Sequence, residues 1–167
     1  MTAVRQYVPA VPRPAESNVL GVARRYLTGE GFPADLENLS RGELLIAEIE
    51  LTSALERTCS DLVIEDLLPA CFEPEPARVA EEFNRCHGKG LGRTDWVLRS
   101  EARDDRVVAF SRPLEIGRAT TPDGRTVFRY GVRVVTAGEF VLPGPAVEAM
   151  YAPELRARGE TVRIRVR

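Results

Sequence analysis

Apolar and polar residues alternate with a period of two along much of this chain, the spacing that turns one face of a strand to a core and the other to water. The clearest run is Glu43 to Thr52, where Leu45, Ala47, Ile49 and Leu51 alternate with Ile46, Glu48, Glu50 and Thr52. It predicts a strand with Glu48 and Glu50 facing water. Asn18 to Leu27 predicts an earlier strand, closed by a turn at Thr28-Gly29-Glu30-Gly31. Leu62 to Ile64 predicts a short buried strand, and Pro69 stops any continuation because proline cannot donate to a sheet ladder. Asp66 then belongs to the turn, its carboxylate accepting backbone hydrogen bonds. Trp96 opens the second half of the core, and Trp96 to Ala102 with Arg106 to Phe110 flank the polar tip Arg103-Asp104-Asp105 as a hairpin. Thr121-Pro-Asp-Gly-Arg125 reads as a tight turn before the long run Thr126 to Thr136. Glu139 to Leu142 predicts another strand, ended by Pro143-Gly144-Pro145, and Thr161 to Arg167 a terminal strand with Val162, Ile164 and Val166 inward.

One segment departs from this period. Val79, Glu82, Phe83 and Cys86 recur at helical spacing, so Ala77 to Cys86 predicts a short helix. About eight short strands with turn signals between them imply an all-β fold, an antiparallel β-sandwich of immunoglobulin-like architecture. A short helix or irregular insertion near 77–95 interrupts it. A length of 167 residues suits a single domain. Pro9, Pro12 and Pro14 mark residues 1–16 as a linker or tail.

Composition and charge narrow the function classes. The net charge is -2 and the arginines are spread along the chain, with Lys89 the only lysine, so no phosphate-tracking surface is indicated and nucleic acid is not an expected partner. No apolar run approaches the ~20 residues that cross a bilayer, and direct membrane contact is not expected. The first residues lack the apolar core of a secretory signal, which implies either a cytoplasmic protein or part of a larger exported one.

Candidate chemistry is sparse. Cys59, Cys71 and Cys86 are an odd number without CxxC spacing and specify neither a disulfide framework nor a zinc site. Cys86 and His87 are adjacent, which invites a nucleophile or a metal ligand. On an extended chain they point to opposite faces, and no second histidine completes a metal shell. Gly88, Gly90 and Gly92 surround Lys89 without the GxxxxGK[ST] order of a phosphate loop. Glu65 and Asp66 lack the opposed geometry that splits two carboxyl pKa values. No catalytic residue, metal ligand or cofactor site is therefore expected. The segment that stands out is Val147 to Arg158, in which Met150 and Tyr151 precede Pro153 on what reads as an exposed turn. Two readings are open for a large apolar pair placed there. It caps the end of the core, or it is offered to a partner, where Met and Tyr are favoured contact residues.

The order of several motifs resembles a known family. Val22-Ala-Arg-Arg-Tyr26, Leu39-Ser-Arg-Gly-Glu43, Glu65-Asp-Leu-Leu-Pro-Ala-Cys-Phe-Glu73, Asp104-Asp-Arg-Val-Val-Ala-Phe110, Tyr130-Gly-Val-Arg-Val-Val-Thr-Ala-Gly-Glu-Phe140 and Glu148-Ala-Met-Tyr-Ala-Pro153 follow one another as in the C-terminal domain of bacterial alpha-2-macroglobulins. The resemblance implies a macroglobulin-like sandwich over 17–167. It departs at Cys71, where the family has glycine, and this places the local backbone conformation in question. The resemblance also implies a module of a large protease trap, periplasmic or otherwise extracytoplasmic. In that family a bait region is cut and an internal thioester captures the protease. The thioester motif Cys-x-Glu-Gln is not present, since Cys71-Phe-Glu-Pro does not match it. The implied role is non-catalytic: packing against the thioester domain and neighbouring macroglobulin domains of the parent, with target proteases met only through that parent. Met150 and Tyr151 fall on the family's lid residues, and an apolar lid suits a bond that water would hydrolyse. Two alternatives compete. One is a generic cell-surface or adhesion sandwich, because Asp66-Leu-Leu-Pro-Ala70 is also similar to a motif of bacterial surface repeats. The other is a small cysteine enzyme using Cys86 and His87.

Overall fold

The computed structural model describes residues 14–54, 58–87, 92, 94–113, 115–116 and 125–167. In chain order these form β1 (Glu16–Ser17), β2 (Leu20–Thr28), β3 (Leu44–Ser53), β4 (Leu62–Leu67), β5 (Phe72–Pro74), α1 (Ala77–His87), β6 (Val97–Arg103), β7 (Arg106–Ser111), β8 (Thr126–Val134), β9 (Gly138–Leu142), β10 (Ala146–Ala149), β11 (Ala152–Arg158) and β12 (Val162–Val166). The expected glycine loop at 88–91, most of the turn at 121–125 and residues 1–13 of the expected tail lie outside the described residues.

The alternating run Glu43 to Thr52 forms an interior strand, and the terminal run forms one strand of a two-stranded pair. A four-stranded antiparallel sheet has the order β2-β3-β8-β5, and a six-stranded one the order β1-β11-β10-β4-β7-β6, with β9 and β12 paired separately. Leu45, Ala47, Ile49 and Leu51 of β3 meet Leu62 and Ile64 of β4, Val107 and Ala109 of β7, and Val147 and Ala149 of β10 in one core. Leu142, Ile164 and Val166 of the β9/β12 pair close its side. Trp96 is buried there, its Nε1 donating to the Val127 carbonyl at 3.0 Å. The fold is the antiparallel β-sandwich with one short helix that the alternation predicts.

Four local expectations are corrected. Glu48 does not face water: it is 0% exposed. Helix α1 packs over the outer face of the four-stranded sheet through Phe83 and Val79 against Leu27 and Ile46, so this sheet is covered on both faces. Asp66 is not in a turn. Strand β4 continues to Leu67, and the alternation places Asp66 inward beside Leu62 and Ile64. Cys86 and His87 are not on extended chain but in the last turn of α1. Cys86 is exposed although it shares the helical spacing of Phe83, and the His87 ring stacks on Phe83 with centroids 5.0 Å apart. Finally, the segment after Tyr151 is itself a strand, β11, and β10 and β11 form an antiparallel hairpin.

Cys71 answers the question its substitution raised. Asp61 is the only non-glycine residue with positive φ among those described, so Cys71 occupies an ordinary conformation that needs no glycine. Its side chain is buried in the core, and burial pushes its thiol up to about 11.

Candidate functional site

Two groups of side chains merit a functional reading, one buried and one exposed. The buried group spans the sandwich. Arg24 of β2 donates to Asp66 of β4 and to the Pro143 carbonyl at 2.8 Å, and the Tyr130 hydroxyl of β8 donates to the other Asp66 oxygen at 2.6 Å. Burial lifts the Asp66 carboxyl above its ordinary range, against the pull of Arg24 and Tyr130. Tyr130 is raised well above its usual value by burial and by the Asp66 charge. Perturbed groups gathered this way are one mark of an active site. Here each partner is engaged by another inside the core, and the cluster ties the two sheets together.

On the outer face of the four-stranded sheet, Glu48 is met by three arginines. Arg25 Nε and Arg129 Nε each donate at 2.7 Å and Arg125 Nη2 at 2.5 Å, while Arg129 also donates to Asn84 of α1 at 2.8 Å. Burial raises the Glu48 carboxyl, but the arginines outweigh it and hold the group below its ordinary value. This cluster fastens the helix to the sheet. Among the described residues no group of three His, Cys, Asp or Glu side chains is placed to hold a metal. Among the described residues no helix is long and apolar enough to cross a membrane.

The exposed group is the tip of the β10/β11 hairpin. Ala149 pairs with Ala152, which leaves Met150 and Tyr151 as the two loop residues, 52% and 82% exposed. The register then passes from Ala149↔Ala152 to Glu148↔Arg156, so Pro153, Glu154 and Leu155 loop out of the ladder. Proline tolerates that position because no ladder N–H is needed there, and Leu155 tucks against the core. Two-residue hairpin loops usually demand positive φ. Neither Met150 nor Tyr151 has it, and the bulge in β11 absorbs the mismatch. The Met150 amide donates to the Asp61 carbonyl at 2.9 Å, and Asp61 is the residue at φ 55. The tip is thus held from beneath by the neighbouring strand's approach. It presents a thioether and a phenol to solvent.

Set beside known proteins, residues 20–154 match the family model of the bacterial alpha-2-macroglobulin MG10 domain. The chain belongs to that family. It is 31% identical to Alpha-2-macroglobulin of Escherichia coli strain K12 over 162 residues, covering 92% of this chain and 9% of that one. Salmonella alpha-2-macroglobulin reacted with methylamine superposes with a TM-score of 0.71 at 29% identity, over 95% of this chain and 10% of that chain. Escherichia coli alpha-2-macroglobulin activated by porcine elastase gives a TM-score of 0.75 at 26% identity, over 95% and 14% respectively. The MG10 chain therefore spans about a tenth of the length of these relatives.

Both residues singled out in the sequence, Met150 and Tyr151, are together on the tip. Leu98, 59% exposed on the groove it shares with Met150, and Asp61, whose carbonyl holds the Met150 amide, also belong to the tip and do not stand out in the sequence. Leu98 shares the alternation of buried Trp96 and would read as an inward residue, and the bulge between Val97 and Arg99 that turns it out had no sequence signal; nor did the Asp61 conformation.

Proposed function

We propose that this MG10 domain is a non-catalytic module of a bacterial protease trap, and that Met150 and Tyr151 cover the thioester of a neighbouring domain in the parent chain until a protease activates it. The observation that carries this reading is the tip itself. Two large side chains stand exposed on a loop anchored by a ladder, a bulge and the Asp61 carbonyl. A monomeric surface rarely holds such a pair rigidly without a use for it.

The relatives support the chemistry. The Salmonella protein reacts with methylamine, a nucleophile, and a protein that such an amine modifies carries an electrophilic centre. The Escherichia coli protein is activated by elastase, a protease. A thioester survives only where water and amines are excluded. A thioether and an aromatic ring bring apolar area and no competing nucleophile, while the phenol can still find a hydrogen bond at the rim. The parent works outside the cytoplasm, where proteases threaten, and this domain meets them only through it. Its partners are the thioester domain and adjoining macroglobulin domains.

Hydroxyl-radical footprinting tests the docking. Met150 and Tyr151 are expected to oxidise readily in the isolated domain, to be protected in the full-length parent, and to become reactive again after protease cleavage. Equal oxidation in the isolated domain and the uncleaved parent would refute the lid.

A further inference from the structure

We infer that Leu98 is a second contact of the lid, and that the groove between Leu98 and Met150 receives an apolar side chain of the thioester domain. The inference rests on the lid reading above and extends it to a surface on another pair of strands.

The first observation is a bulge. Val97 pairs with Ser111 and Arg99 with Phe110, so Leu98 is an extra residue with no partner in β7. A bulge re-aims a side chain, and here it leaves a leucine 59% exposed on an edge strand otherwise lined with Arg99, Glu101 and Arg103. The second is where that leucine faces. Together with Leu62, Phe110 and Met150 it lines an open groove of about 460 Å³ next to the tip.

The third concerns the groove's polar members Ser111 and Arg99 and the Asp61 carbonyl, which are already engaged. Ser111 Oγ accepts the Leu62 amide at 2.9 Å. The Arg99 guanidinium lies over the Phe110 ring at 4.8 Å and pairs with Glu101 at 3.0 Å. The Asp61 carbonyl holds the Met150 amide. Apart from the exposed Asp61 carboxylate, what the groove has left to offer is apolar, so its occupant is an apolar side chain rather than a charged one. On the other flank of Met150 the lining is mixed, with Glu16, Glu65, Glu148, Arg156 and Arg158 set among Val63, Val108 and Val147, so the less charged surface beside the tip lies toward Leu98.

The occupant belongs to the parent chain. The relatives are about ten times longer than this domain, so attached domains are present at high effective concentration. The groove shares Met150 with the tip, so the surface that the tip covers also reaches Leu98.

The test uses the full-length parent with benzoylphenylalanine substituted for Leu98 in one preparation and for Tyr151 in another. Irradiation is expected to give adducts from both positions to the thioester domain. Adducts from position 151 with none from 98, or adducts from 98 only to other domains, would overturn this inference and leave the lid standing. The lid itself would fall if neither position gave adducts. Leu98→Glu places a charge in the groove at an exposed site and is expected to speed methylamine reaction of the parent about fivefold, near the effect of losing one good interface contact. Leu98→Met should keep the parental rate. A Leu98→Glu rate equal to the parent's would also overturn the inference.

Discussion

A carboxylate taken out of water must be met by donors, and Asp66 and Glu48 meet that requirement in different places. Asp66 faces Arg24 and Tyr130 inside the core, with both charged side chains almost wholly buried. Removing one charge of such a pair strands the other, so Asp66→Asn is expected to cost about 3–5 kcal/mol in urea unfolding. Tyr130→Phe, which loses one hydroxyl, should cost about 1–2 kcal/mol. Glu48 is held below its ordinary value of 4.5 by its arginines. The folded state then binds fewer protons than the unfolded chain. Its contribution is complete above the ordinary carboxylate value and is lost as pH falls through the folded one. Stability should therefore drop as pH falls below the ordinary carboxylate value of 4.5, and Glu48→Gln should start lower at neutral pH and fall less on acidification. Neither role could be read from the sequence, because Glu48 and Asp66 look like solvated acids until a helix and a second sheet are laid over them. The cysteines separate by burial: Cys86 is expected to react with iodoacetamide in the folded domain, and Cys59 and Cys71 only after unfolding.

At the scale of elements, β12 was legible from unbroken alternation and β3 from its Leu45–Leu51 series, while β2, β8 and β9 were legible as β-rich runs bounded by turn residues. Hairpin β6/β7 was legible from its polar Asp104-Asp105 tip, and α1 from the spacing of Val79 and Phe83. Strand β11 escaped because its ladder is interrupted at Pro153–Leu155 and because its turn uses Met and Tyr where Asn-Gly would have announced a hairpin. The foot of the same hairpin is a close crossing. A Cβ built on Gly144 would lie 1.9 Å from the Gly159 carbonyl oxygen, and the Gly159 amide donates to Pro145 at 2.7 Å. Backbone cannot yield as a side chain can, so Gly144→Ala is expected to lose at least about 2 kcal/mol and to loosen the hairpin, which hydrogen exchange at Val147 and Ala157 would report. Retention of parental exchange rates would show that the crossing gives way easily.

For the whole molecule, the sandwich works as a rigid mount. The core and the Arg24–Asp66 tie fix one sheet on the other, and the six-stranded sheet carries the β10/β11 tip at one end. The pair at the tip was visible in the sequence as large apolar residues on an exposed turn beside a proline, and the β10/β11 hairpin that carries it is what the structure adds. The groove toward Leu98 was not visible, since it depends on a bulge and on two strands that meet only in the fold. Because Met150 and Tyr151 contribute little to the core, Met150→Ala with Tyr151→Ala should leave the unfolding free energy of the isolated domain within about 0.5 kcal/mol of the parental value. The lid is tested most directly by the rate at which free thiol appears in the full-length parent on standing, measured for that double variant and for the unaltered protein. The account predicts thiol release roughly tenfold faster in the variant, as expected when water gains access to an activated acyl group. An unchanged rate, in a parent shown to carry a thioester, would contradict it.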